Sequence, residues 1–193
     1  MARIKGAALR EFVRWYSGRA GIDAVEELLA GLSPGARAAF DLRRSDLGIL
    51  QTEWYPAGVV HELLDRIVKD LPVAERTSMA RESARAIMDA TLKGVYRMLF
   101  RAMMSPDRYA KNAQTLWSRY YDTGKIQKTA GGPWAHQTII GGWEAHHPVL
   151  CDLHVASAEY IYQAMGCREV QVRRTGCVSE GGPVCSFEVT WRG

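Results

Sequence analysis

Residues 148–191, PVLCDLHVASAEYIYQAMGCREVQVRRTGCVSEGGPVCSFEVTW, decide how this chain folds. Pro148 to Met165 has the spacing of a helix with proline in its first turn, and Gly166 ends it. From Glu169 to Arg174 the period changes to two: Val170 and Val172 point one way, Glu169, Gln171 and Arg173 the other. Past the turn Glu180-Gly181-Gly182-Pro183, a closing strand runs from Val184 to Trp191. Phe187, Val189 and Trp191 share one of its faces, and Ser186, Glu188 and Thr190 the opposite one. Such alternation marks a half-buried antiparallel hairpin. The hairpin would bring Cys177 and Cys185 together at its turn end, and the start of the helix would add Cys151.

Three thiolates hold a transition metal when a fourth donor completes a tetrahedron. His154 is the first candidate, because three residues after Cys151 it lies on the same side of the helix. Glu180 and Glu159 are others. Zn2+ is the ion such a set would take. Two further outcomes stay open: free, packed thiols, or a disulfide between Cys177 and Cys185. Cys167 follows the helix-ending glycine without a matching partner and reads as structural.

At 193 residues, 47% of them hydrophobic, the chain is long enough to bury a sizeable core. It reads as a helical segment over 1–46 and a ligand-binding domain over 47–193, packed as one unit. No apolar run reaches membrane-spanning length, and residues 1–5 lack the core of a signal peptide. A cytoplasmic protein with reduced cysteines is expected. The net charge of +4 is spread along the chain, and no nucleic-acid-binding signature accompanies it.

Before the C-terminal stretch, helices dominate. Apolar spacing predicts them over Lys5–Tyr16, Ile22–Leu32, Ala57–Leu71, Glu75–Met104 and Arg108–Tyr121, with a short one opened by Ser33-Pro34. Ile49–Trp54 reads as extended. Lys125–Thr129 and Gln137–Ile140 read as strands around Gly131-Gly132-Pro133. The order predicts an α+β domain: N-terminal helices, a long central helix, and a C-terminal antiparallel sheet of about four strands with one helix inserted. The central helix holds five of the seven methionines. Methionine lines adaptable apolar pockets, so Met88, Tyr96, Met98, Phe100, Trp117 and Tyr120 are the candidate ligand-binding residues. No nucleophile elbow, phosphate loop, dinucleotide fingerprint or zinc-protease motif is present.

Several of these segments together resemble a known family. They are Tyr55-Pro56, Leu92-Lys93-Gly94-Val95-Tyr96-Arg97, Leu116 to Asp122, Cys151, Arg174-Thr175-Gly176-Cys177, and Gly181 to Phe187. The pattern is similar to a group of bacterial proteins found in myxobacteria, which look like the four-vinyl reductase domain. Its superfamily also holds heme nitric-oxide/oxygen-binding domains and TRAPP subunits. The spacings, 26 from Cys151 to Cys177 and 8 from Cys177 to Cys185, match zinc-binding cysteines in the sensory domains of phenol-responsive activators. Arg174 stands where those sensors carry a glutamate ligand. The heme branch's Tyr-x-Ser-x-Arg signature is missing, so heme is not expected.

The resemblance implies a non-catalytic, cytoplasmic sensory domain that binds a small apolar or aromatic ligand, dimerises with its own kind and signals through a protein partner. One alternative is a TRAPP-like interaction module contacting its partner through Phe12, Trp15 and Tyr16. Another is a tetrapyrrole-related reductase.

Overall fold

The structure is a computed structural model and describes residues 1–41, 43–92, 98, 100–102 and 104–192. It is an α+β fold in which helices pack on one face of a four-stranded antiparallel sheet. The chain opens with a short strand, β1 (Arg3–Lys5), which pairs antiparallel with β2 (Trp54–Pro56). Neither reads as a paired strand in the sequence, because three residues leave no visible period. Between them lie α1 (Gly6–Ala20), α2 (Ile22–Ala30) and α3 (Pro34–Arg37). The Ser33-Pro34 signal works as read: the Ser33 hydroxyl accepts a hydrogen bond from the Ala36 N–H at 3.3 Å. Gly6 cannot carry a side chain, since a Cβ there would stand 2.1 Å from the Leu50 carbonyl oxygen.

Next come α4 (Ala57–Val68) and α5 (Val73–Thr91). Val60, Leu63, Leu64 and Ile67 form the buried stripe of α4. The long helix expected to reach residue 104 is interrupted. Leu92 leaves helical geometry at φ −108° and ψ 64°, and residues 98 and 100–102 are helical again. Ser105 caps α6 (Pro106–Lys111), followed by α7 (Ala113–Trp117). They replace the single helix expected over 108–121.

The sheet consists of β3 (Lys125–Gly132), β4 (Ala135–Gly141), β5 (Arg168–Gly176) and β6 (Cys185–Arg192), in the order β3-β4-β6-β5. Its inner face carries His136, Thr138 and Ile140 of β4, and Cys185, Phe187, Val189 and Trp191 of β6, all buried. The connecting helix α8 (Pro148–Ala164) packs against β5 and β6 on one side and α5 on the other. Its fully buried Tyr162 fills the space over the sheet.

Two ties fasten the N-terminal half to this layer. The Lys5 N–H donates to the Tyr120 carbonyl at 2.8 Å. On α4, His61 and Asp65 engage the segment ahead of α8, through the Ala145 carbonyl at 3.1 Å and His147 at 3.0 Å. Among the described residues no helix is long and apolar enough to cross a membrane.

Candidate functional site

Two buried clusters lie along α8, one at its first turn and one near its middle and end. The first gathers sulfur. His147 caps α8, its ring nitrogen accepting from the Val149 N–H at 3.2 Å, and Pro148 follows at the first helical position. That start points Cys151 at the end of the β5–β6 hairpin. Here the chain turns through a single 3₁₀ turn (Val178–Glu180) and left-handed Gly181, φ 84°. The N–H groups of Glu180 and Gly182 both donate to the Cys177 carbonyl, at 3.1 and 2.9 Å. A Cβ on Gly182 would stand 2.9 Å from that same oxygen, so only glycine closes the turn this tightly.

Cys151 Sγ and Cys177 Sγ are 3.6 Å apart, and Cys177 Sγ and Cys185 Sγ 3.9 Å. The fourth group is His146, whose Nε2 lies 3.6 Å from Cys177 Sγ. All four donor atoms fall within 4.8 Å of one another. Donors about 2.3 Å from one ion in a tetrahedron stand about 3.8 Å apart, so three thiols and an imidazole are spaced as a ligand set of three sulfurs and one nitrogen requires.

Local hydrogen bonds favour ionisation at one sulfur. Burial alone would raise Cys177, but hydrogen bonds from the Ser179 hydroxyl (3.0 Å) and backbone, and from the neighbouring thiols, outweigh it and hold the thiol below its ordinary value. Burial pushes Cys151 and Cys185 up. It also lowers His146, helped by His147, His61 and Arg174, which keeps the imidazole neutral, as a metal ligand must be. Arg174 bonds to Asp152 and, at 3.1 Å, to Glu180. Its charge is met by these carboxylates but still reaches the cluster, where it acts to lower both His146 and Cys151.

His154 is elsewhere. Its ring packs among Trp117, Tyr121 and Trp143 at centroid distances of 5.0, 5.3 and 5.4 Å, and Nε2 meets the Tyr121 hydroxyl at 3.1 Å. Burial drives its pKa down to about 4. Of the two acidic alternatives, Glu180 is tied to Arg174, and Glu159 lines a separate cleft. Sequence spacing missed His146 because a long-range contact brings it in: the neighbouring His147 is fixed by Asp65 of α4.

The second cluster lies under the middle and end of α8. His136 Nδ1 meets the Tyr162 hydroxyl at 2.7 Å, and Trp191 packs on both rings at 5.0 Å. Lys128 enters from β3, its Nζ 2.7 Å from Thr138 Oγ1.

A cavity of about 400 Å³ opens between the end of α5 and the far end of α8. Met88, Leu92, Met98, Arg101, Tyr160 and Gln163 line it. It brings together Met88 and Met98 of the expected ligand residues. Phe100 is partly buried against the core, Trp117 belongs to the His154 ring group, and Tyr120 is exposed. Tyr96 lies outside the described residues. Phe12, expected as an exposed contact, is buried.

No protein-family model matches the chain. Solved structures of the same architecture include H-NOX proteins. One from S. oneidensis, in an Fe(II)NO ligation state, aligns at a TM-score of 0.68 with 10% identity, covering 98% of this chain and 100% of that one. One from K. algicida aligns at 0.62 with 11% identity, covering 98% and 97%. A third, in which protein-induced porphyrin distortion modulates the heme redox potential, aligns at 0.60 with 12% identity, covering 98% and 100%. Among curated proteins, a bacteriochlorophyll synthase 23 kDa chain of Cereibacter sphaeroides is 29% identical over 85 residues, 42% of this chain and 40% of that one. The match thus spans less than half of that relative.

These findings correct the cofactor expectation. Heme, set aside from the missing signature, is named for one solved structure of this fold and an Fe(II)NO state for another, so the expectation against heme does not stand. Heme iron is held by an imidazole, a thiolate, a thioether or a phenolate. His154, kept neutral by burial and surrounded by Trp117, Tyr121 and Trp143, is a neutral imidazole among rings, but it is already bonded to Tyr121 and does not line the cavity between α5 and α8.

Proposed function

We propose that this protein is a non-catalytic regulatory domain that binds a small apolar, aromatic ligand and passes its occupancy to a protein partner. The observation carrying this reading is the methionine- and tyrosine-lined cavity where α5 and α8 meet. Its size suits a small ligand, and its walls mix apolar side chains with the few polar ones that orient a guest. The tetrapyrroles are the favoured ligand class. H-NOX proteins share the fold, and the curated relative belongs to bacteriochlorophyll synthesis, so both kinds of comparison lead to that ring system. The domain is of the four-vinyl-reductase type, works as a homodimer and resides in the cytoplasm.

The thiol cluster plays a different part in this proposal. Cys151, Cys177, Cys185 and His146 hold a divalent metal ion that clamps the hairpin to the start of α8. The support is the spacing of the four donors and the lowered Cys177.

Titration of the reduced protein with hemin and with metal-free protoporphyrin IX, followed by absorbance and tryptophan fluorescence, tests the main reading. A saturable one-to-one complex is expected. In Met98→Trp, where the indole takes up cavity space, affinity should fall about tenfold. Absence of saturation by either porphyrin would overturn the tetrapyrrole assignment.

A further inference from the structure

The fourth member of the thiol cluster is held from outside it. His61 and Asp65 lie one turn apart on α4, so both face the same side of that helix. His61 Nε2 donates to the Ala145 carbonyl at 3.1 Å. His147 accepts the Val149 N–H at Nδ1, so its proton sits on Nε2 and is donated to Asp65 Oδ1 at 3.0 Å. The His61 and His147 rings are 5.3 Å apart. In this way α4 grips the residue before His146 and the residue after it.

The grip aims His146. Its N–H closes a turn onto the Trp143 carbonyl at 3.1 Å, and its ring meets the Trp143 indole edge-on, centroids 5.2 Å apart. The backbone is extended at His147, φ −143° and ψ 143°, a geometry that sends neighbouring side chains to opposite sides. His147 goes to α4 and His146 to the sulfurs, its Nε2 3.6 Å from Cys177 Sγ. Ala145 and Trp143 are buried, which leaves the segment little room to shift.

The helix that does this belongs to the N-terminal half. It follows β2 directly, and β2 pairs with β1 at the start of the chain. Its apolar stripe is in the core, whereas the Asp65 side chain is 71% exposed and can be changed without disturbing packing. Cys177 and Cys185 come from the hairpin, Cys151 from α8, and His146 from the segment that α4 fixes. All four donors converge only when hairpin, α8 and α4 are seated together.

We propose that occupancy of the thiol cluster is coupled to the seating of α4 through His61 and Asp65, so that the bound ion and the N-terminal half of the chain regulate each other. The proposal rests on the metal reading above and adds its regulation. His61 and Asp65 are positioning residues, acting on the ion through His146. Such coupling is reciprocal: whatever loosens α4 weakens the ion, and the ion tightens α4.

Cobalt(II) titration of the reduced full chain, read by its charge-transfer and ligand-field bands, tests this, with deuterium exchange of the α4 amides as a second readout. Asp65→Ala should weaken cobalt about tenfold, as loss of an outer hydrogen-bond partner does, and shift the ligand-field bands in the direction that His146→Ala shifts them. Asp65→Asn, which keeps an acceptor for His147, should restore most of the affinity. In a His146→Ala background, Asp65→Ala should have no further effect, because its influence runs through that imidazole. Saturating cobalt should slow exchange of the α4 amides in the wild type and leave it unchanged in His146→Ala. Equal affinity and spectra in wild type and Asp65→Ala, an additive loss in the double variant, or α4 exchange indifferent to cobalt would overturn the coupling while leaving the metal site intact. No cobalt binding by the wild type would defeat the metal reading, and the coupling with it.

Discussion

The two buried clusters along α8 solve opposite problems. At its first turn, three thiols and an imidazole crowd within 4.8 Å, and one sulfur, Cys177, is biased toward its charged form. Near its middle and end, Lys128, His136 and His154 meet aromatic rings and hydroxyls, and burial biases all three toward their neutral forms. One cluster prepares negative charge for a cation. The other holds its basic groups toward their neutral forms among rings and hydroxyls. The same helix and sheet carry both, so the difference comes from side chains: soft donors on a tight turn at one end, and a long, flexible amine under phenols at the other.

The largest effect that could break this comparison is at the sulfur end. Cobalt(II), whose thiolate complexes are coloured, should bind reduced protein with one strong site per chain. Cys177→Ala should weaken it more than about 100-fold, exceeding the usual loss when only a hydrogen-bond partner of a ligand is removed. His146→Ala should weaken it as well, and His154→Ala should leave it unchanged. An effect of His154 comparable with that of His146 would contradict the ligand set.

Next is the hydrogen bond at the heart of the basic cluster. Tyr162→Phe leaves His136 Nδ1 without its partner inside the core and should cost about 1–3 kcal/mol in urea unfolding. A stability equal to the wild type would place water at that imidazole.

pH separates the two clusters further. An unfolded lysine titrates near 10.5 and the folded Lys128 near 7, so between these values the unfolded chain holds more protons. The contribution of Lys128 to stability must therefore rise with pH from about 7 to 10.5, and below 7 its burial is purely a cost. The stability difference between Lys128→Met and wild type should shrink across that window when urea midpoints are compared. His154 follows the same sign lower down. Its folded pKa of about 4 lies below the ordinary 6.5, so stability is lost as pH falls through that interval, and His154→Phe should flatten the loss.

The smallest effect is a control outside both clusters. Arg173 and Glu188 pair across the exposed face of the sheet at 2.9 Å, and Arg173→Ala should change stability by no more than about 0.5 kcal/mol.

How far each cluster could be read from the sequence follows from the same contrast. Alternation in β5 and β6 and the glycine-rich turn bring Cys177 beside Cys185, and a proline-started helix adds Cys151, all from local rules. His146 escapes those rules, because it is delivered by a contact between residues 65 and 147. Lys128 leaves a fainter signal. Its two-residue spacing from Ile126 puts both on the inner face, yet a lysine in a strand reads by habit as solvated. The sheet itself is legible, its four strands readable to within one to three residues of their ends. The β1–β2 pair is too short to show a period, and the break of the central helix at Leu92 follows no proline.

The most direct test of the central claim is the porphyrin titration of the reduced chain. The account predicts a saturable one-to-one complex with protoporphyrin IX, weakened in Met98→Trp. A flat titration with both hemin and protoporphyrin IX, on protein whose unfolding is cooperative, would contradict it.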